Sequence, residues 1–223
     1  VAQQVIRFRA YDGHELGALV HLPAGHASRP RKRWPFVLHL HGAGERGTDP
    51  RELLRKDLPR RLEDLPRFPF VVVSPQCPPR SSWARHVPTL LSLLDECVPL
   101  LRGNPRRVHV TGPSMGGVGT WLLAAAAPER FASAVPICAS IPPFHGWPGK
   151  AGRLARVPVR AYHGREDPVI PLRHPRALQA AHRAGGGRSR LIVLRGVGHE
   201  AWIPAYGDPR LWTWIKNRRL RRW

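Results

Sequence analysis

Val108-His109-Val110-Thr111-Gly112-Pro113-Ser114-Met115-Gly116-Gly117 decides how the rest of the chain is read. It is a short apolar run, then Gly-x-Ser-x-Gly, then the small residues that open a helix. A serine used as a nucleophile must stand clear of a sheet on a tight turn. Small residues two before and two after it let the backbone pack closely there. The helix that follows directs its first amides toward the place where negative charge develops. Gly-x-Ser-x-Gly alone is a weak signal, but strand–turn–helix is the context this chemistry needs.

Reading outward from Ser114, short apolar runs alternate with helical stretches. The runs at 36–40, 70–74, 108–111, 133–137, 159–163 and 190–194 lack clean polar alternation, as strands buried on both faces do. Helices are expected over 51–63, 89–101, 115–127, 175–184 and 209–219. Pro99 should shorten or kink the second of these, Pro128 ends the third, and Gly185-Gly186-Gly187 stops the fourth. Upstream, 3–10 and 15–22 read as a β-hairpin turning at Asp12-Gly13. The fold class is therefore α/β: a mostly parallel central sheet, an antiparallel hairpin at its N-terminal end, and helices on both faces. No repeat and no long linker interrupts the pattern, so one domain over 1–223 is expected.

Composition limits the other classes. The chain has 223 residues, 42% hydrophobic and 23% charged, with no apolar run long enough for a membrane span. Cys77, Cys97 and Cys138 have neither the number for a disulfide scaffold nor the spacing of metal ligands. The formal charge of +21 is the unusual value. Only four of the 36 basic residues are lysine, leaving 32 arginines. A field this positive attracts anions in general, and a solvated cationic surface explains it without a specific nucleic-acid site. The chain begins at Val1 and shows no signal peptide. A cytoplasmic location is the expectation, with secretion after removal of an upstream segment as the alternative.

Two residues downstream complete the chemistry of Ser114. Asp167 lies in His163-Gly-Arg-Glu-Asp-Pro168 and His199 in Gly196-Val-Gly-His-Glu200, each just past an apolar run. Serine, acid, then histidine, each on a loop after a strand, is the α/β-hydrolase order, and such loops share one edge of an open sheet. Glu166 is a rival acid; the loop position favours Asp167. The turn His41-Gly42-Ala43-Gly44 after the run 36–40 supplies the second half of an oxyanion hole, so the backbone amides of Ala43 and Met115 are assigned to it. His39 and His41 alternate with Leu40 and so share a strand face, which suggests a metal pair, but no third ligand falls at matching spacing. His199-Glu200 is no zinc-protease motif, because Ile203 stands four residues on. No metal site is expected.

The stretches His39-Leu-His-Gly-Ala-Gly-Glu-Arg-Gly47, Ser74-Pro-Gln-Cys-Pro78 with Trp83 after it, Thr111-Gly-Pro-Ser-Met-Gly-Gly117, Val135-Pro-Ile-Cys138, His163-Gly-Arg-Glu-Asp-Pro168 and Gly196-Val-Gly-His-Glu-Ala-Trp202 carry a resemblance. The chain resembles the single-domain bacterial esterases and predicted peptidases of the α/β-hydrolase superfamily. These lie near its dienelactone-hydrolase, carboxylesterase and prolyl-oligopeptidase-like branches. The resemblance covers about Val5 to Trp214. It implies the triad roles already given to Ser114, Asp167 and His199, and ester hydrolysis without a cofactor. Pro113 departs from it, since that position more often carries leucine or another residue with an amide hydrogen.

The expected reaction is hydrolysis of carboxylic esters through an acyl-enzyme, on a small-molecule or polysaccharide-linked ester. A peptidase, an acyltransferase and a non-catalytic binder of anionic polymers are the alternatives. Glu45, Trp83 and Trp202 are the candidate pocket residues, with Arg46 beside Glu45. The loops at 48–58, 75–85 and 140–156 shape the pocket, and 140–150 stands where a helix is expected and is a candidate for the rim.

Overall fold

Strands buried on both sides need apolar residues at successive positions, and the computed structural model, which describes residues 3–11, 13–142, 144 and 146–220, shows why. Its strands are β1 (Gln4–Arg9), β2 (Glu15–His21), β3 (Trp34–His39), β4 (Val71–Pro75), β5 (Gly103–Pro113), β6 (Ser133–Ile137), β7 (Val159–Gly164) and β8 (Ser189–Leu194). They form one sheet in the order β1-β2-β4-β3-β5-β6-β7-β8. β1–β2 and β2–β4 are antiparallel, and the remaining pairs are parallel. The N-terminal pair has the expected hairpin register, Arg9 opposite Glu15. Its turn includes Asp12, which lies outside the described residues.

The helices are α1 (Asp57–Glu63), α2 (Val87–Leu100), α3 (Met115–Ala126), α4 (Arg173–Ala184), α5 (Trp202–Gly207) and α6 (Pro209–Lys216). Successive strand residues divide between two apolar layers. Phe36, Leu38 and Val110 pack with Leu90, Leu94, Trp121, Leu123 and Leu178 of α2, α3 and α4. Val37, Val72, Val135 and Ile137 pack with Leu58, Leu62, Tyr206, Leu211 and Ile215 of α1, α5 and α6. Helices thus cover both faces, as burial of a parallel sheet requires. None of the helices among the described residues is long and apolar enough to cross a membrane.

Several boundaries differ from the sequence reading. The helix expected over 51–63 is two pieces, a 3-10 segment at Pro50–Arg55 and α1, because Lys56 is extended (φ −142°) and Asp57 is left-handed (φ +53°). β5 starts at Gly103 rather than 108: its polar beginning touches β3 at Trp34–Gly103, and the register shifts before Phe36–Val108. α2 runs one residue past Pro99, in its last turn, where a missing amide still leaves most of the helix intact. α5 was not anticipated. The segment after Ser140 is irregular until a 3-10 turn at Gly149–Leu154, and Pro143 and His145 lie outside the described residues.

Pro113 fits the end of a central strand for a specific reason. The ladder from β5 to β3 ends at the pair His39–Thr111, with the Leu40 amide donating to the Thr111 carbonyl. On the β6 side it is the Ser114 amide, not that of residue 113, that donates to Ile137 O at 2.9 Å. The donor that proline lacks therefore falls where β3 has already turned away. We expect Pro113→Leu to keep activity and melting temperature at or above the starting values. Loss of both in the same variant would overturn this account.

Candidate active site

The sheet places Ser114 directly after β5, at the edge where β3, β6, β7 and β8 also end. Its backbone has φ +51° and ψ −115°, a left-handed conformation that costs a non-glycine residue on the order of 1–3 kcal/mol. The turn is tight enough to demand glycine. A Cβ on Gly116 would collide with the Leu40 carbonyl, and one on Gly112 would meet the same oxygen and the Gly116 backbone. Side chains at those positions would push α3 off the sheet and move the serine with it.

The loops after β7 and β8 bring the other two residues to Ser114. His199 Nε2 lies 3.0 Å from Ser114 Oγ, and His199 Nδ1 lies 2.9 Å from Asp167 Oδ2. Asp167 Oδ1 accepts hydrogen bonds from the amides of Val169 (2.8 Å) and Ile170 (2.9 Å). Burial opposes the charge on this carboxylate, but the Ile170 amide, His199 and the Val169 amide outweigh it and hold its pKa below the usual range. Behind it, the buried His163 Nε2 donates to Ile170 O at 2.8 Å and so supports the same loop. Glu166, the rival acid, accepts the Val197 amide at 3.0 Å, which ties the loop carrying His199 to the loop carrying Asp167.

Ala43 and Met115 each open a helical turn, the 3-10 turn Ala43–Glu45 and α3. The first amides of a helix have no partner within it. Gly42 and Ala43 line the same cleft as Ser114, and a Cβ on Gly42 would stand 4.0 Å from Ser114 Cβ. His41 fixes this loop from below: its Nδ1 donates to Gly42 O at 2.6 Å and its Nε2 accepts the Cys77 amide at 2.9 Å. That pair of bonds requires the neutral ring, and burial pushes its pKa down to about 4.

His39 and His41 do not share a face. β3 ends at His39, whose ring packs on Tyr206 at 5.9 Å, while His41 packs on Trp83 at 5.0 Å in the opposite layer. No group of three or more potential metal-ligating residues occurs among the described residues.

The cleft beside Ser114 and His199 has a volume of about 630 Å³. Of the three pocket candidates, Glu45 and Trp202 line it. Glu45 pairs with Lys56 at 3.4 Å, and Trp202 stands edge-on to His199, ring centres 5.9 Å apart. Trp83 does not line it. It is 1% exposed, donates its indole N–H to His41 O at 2.9 Å, and packs in the core under the loop. Arg46 is held by the Ser81 carbonyl and reaches Met115 Sδ at 3.1 Å, so it braces the turn. The segment expected at the rim also lies elsewhere: Phe144 and Trp147 line a separate hollow with Leu122 and Lys150.

Sequence reasoning placed the start of one wall of the cleft in the 48–58 loop and passed over its continuation at Arg60, Arg61 and Asp64. Asp57, Arg60, Arg61 and Asp64, all near or on α1, line it, together with Arg55, Lys56 and Glu200. Within a single helix over 51–63 these residues read as a solvated face. The available signal was Pro59, which suits the first turn of a helix and so marks a start just before it.

The phospholipase/carboxylesterase family matches residues 68–206, more than half of the chain. No curated protein matches it in sequence. Among solved structures, a thermostable esterase is 27% identical with a TM-score of 0.81, over 97% of this chain and 63% of that one. FphF, a fluorophosphonate-binding serine hydrolase of Staphylococcus aureus, is 16% identical with a TM-score of 0.76, over 97% and 98% of the two chains. Porphyromonas gingivalis dipeptidyl peptidase 4 is 12% identical with a TM-score of 0.74, over 97% of this chain and 35% of that one. This chain thus spans under two thirds of the esterase and about a third of the peptidase.

Sheet order, helices on both faces and these similarities define the α/β-hydrolase fold. Within that class, the chain belongs to the phospholipase/carboxylesterase family.

Proposed function

We propose that the protein hydrolyses carboxylic esters through an acyl-enzyme on Ser114, with His199 as general base and acid and Asp167 as its orienting partner. The observation that carries this reading is the unbroken contact from Ser114 Oγ to His199 to Asp167, at 3.0 and 2.9 Å. Ser114 Oγ attacks the ester carbonyl carbon while His199 Nε2 takes its proton. The tetrahedral oxyanion sits against the amides of Ala43 and Met115. Collapse expels the alcohol, which leaves with the proton held by His199. Water then attacks the acyl-enzyme, giving its proton to His199, and the carboxylic acid departs as Ser114 recovers its proton.

The Asp167 carboxylate keeps His199 in the tautomer with hydrogen on Nδ1, leaving Nε2 free to accept. Esters are preferred to amides because an alkoxide is a better leaving group than an amide nitrogen. Fold likeness to a dipeptidyl peptidase keeps the amide reaction as the competing outcome. The test combines hydrolysis of short 4-nitrophenyl esters with titration by an alkyl fluorophosphonate. One label per chain on Ser114, with activity lost in proportion, is the expected result. An unlabelled Ser114, or faster cleavage of a peptide amide than of the matched ester, overturns the reading.

A further inference from the structure

The face of α1 that meets the cleft is charged throughout. Asp57, Arg60, Arg61 and Asp64, spaced i, i+3, i+4 and i+7, all line the cavity that holds Ser114 and His199. Leu58 and Leu62 of the same helix are buried in the core. Half of these charges, and a further pair beside them, are answered nearby. Arg60 Nη1 pairs with Asp64 Oδ2 at 3.0 Å, and Lys56 with Glu45 at 3.4 Å.

Two are not. Among the described residues no carboxylate lies within ion-pair distance of Arg61, and its Nε is sealed from solvent with no hydrogen-bond partner. Its guanidinium rests beside the end of α5, 3.9 Å from where a Cβ on Gly207 would stand. Asp57, one turn earlier on the same face, has an Oδ2 that is likewise sealed and unpartnered. Opposite charges four apart on a helix ordinarily pair. Here the Arg61 guanidinium has no hydrogen-bond partner among the described residues, and Asp57 accepts the Gly42 amide while leaving Oδ2 unpartnered. Arg61 is half-buried at the cleft, and a cationic fork without a carboxylate partner there is available to an anion. The whole chain, at +21, draws anions toward it.

We propose that Arg61 binds a carboxylate of the substrate, so that the Ser114 site prefers esters bearing a second, free carboxylate. The inference rests on the hydrolase reading above and names the substrate class for it. Guanidinium suits this role because its planar donors match the two oxygens of a carboxylate, a contact that lysine's point charge does not reproduce.

Asp57 sets the condition under which the preference is greatest. Burial above all, and then Glu45, pushes its carboxyl up to about 7 against the opposing pull of Lys56 and the Gly42 amide, with Glu200 adding to the rise. His199 and Arg61 share the cavity with it, and Tyr206 borders it. Below neutrality Asp57 is mostly uncharged and does not repel an incoming carboxylate.

The experiment compares matched esters at pH 6.5. One pair places the charge on the acyl side, adipic acid monophenyl ester against phenyl hexanoate. The other places it on the alcohol side, 4-acetoxybenzoate against methyl 4-acetoxybenzoate. At least one charged ester should exceed its neutral twin in kcat/KM by ten-fold or more, chiefly through KM. That ratio should collapse in Arg61→Gln and recover in part in Arg61→Lys. As a check that needs no variant, adipate or benzoate should inhibit phenyl hexanoate hydrolysis by the unaltered protein more strongly than adipamide or benzamide. Neutral esters hydrolysed with no charged preference, or a ratio that survives in Arg61→Gln, overturn the assignment of Arg61 while leaving Ser114 in place. Failure of all four esters together with an unlabelled Ser114 overturns both.

Discussion

Asp167→Asn is expected to lower kcat for ester hydrolysis by about 10³ to 10⁴-fold with little change in fold. The reason lies in how the carboxylate is held. Its Oδ1 already accepts two backbone amides, from Val169 and Ile170, at 2.8 and 2.9 Å. An asparagine must leave its one oxygen on those amides, which turns its NH₂ group toward His199 Nδ1. His199 then has to accept at Nδ1 and carry its hydrogen on Nε2, facing Ser114 with a donor where an acceptor is needed. Geometry survives and proton transfer does not. Glu166→Gln provides the contrast, because a glutamine oxygen still accepts the Val197 amide that Glu166 holds at 3.0 Å. Its kcat should stay within a few-fold of the starting value. Single-turnover acylation by a 4-nitrophenyl ester measures both. Equal losses in the two variants would mean that the wrong acid had been assigned.

The fold and the three side chains proposed to react were legible because each is announced by chemistry local in sequence. Gly112, Ser114 and Gly116 declare their turn through size alone. Asp167 and His199 each follow an apolar run that can only be a buried strand. What stayed hidden depends on contacts between distant segments. Trp83 resembles a pocket wall in sequence, but its partner is the His41 carbonyl 42 residues earlier, and that bond draws it into the core. His39 and His41 read as neighbours on one face only if β3 continues, and it stops at His39. The part of the wall beyond residue 58, at Arg60, Arg61 and Asp64, was lost for a backbone reason. Asp57 adopts φ +53°, a conformation that aspartate tolerates better than most residues but that nothing in the run Arg55-Lys56-Asp57-Leu58 announces.

Acidification to about pH 5 is expected to destabilise the protein severely, before most carboxylates are protonated. His39, His41 and His109 are buried, none more than 1% exposed. Burial pushes their pKa values down to about 3, 3 and 4. His39 has no partner at either ring nitrogen, and His109 has one only at Nδ1, Ser133 Oγ at 2.8 Å. All three are neutral in the folded state and regain an ordinary pKa of 6.5 on unfolding. Below pH 6.5 the unfolded chain therefore binds more protons, and stability falls with pH until the folded values are reached. Each histidine contributes a loss of about 2 kcal/mol at pH 5. Three together cost about 6 kcal/mol, comparable with the whole stability of many domains, about 5–15 kcal/mol. Asp57 acts in the opposite sense: raised to about 7 when folded, it is protonated in the native state and ionised in the unfolded chain over this range. It offsets one histidine, leaving a net uptake of about two protons. His21, His163 and His182, also lowered by burial, add to that uptake. Urea unfolding at pH 7.5, 6 and 5 should show stability falling by about 3 kcal/mol per pH unit near pH 5. His109→Gln should reduce that slope by one proton. A stability that stays level from pH 7.5 to 5 would mean that the buried histidines take up their protons without unfolding.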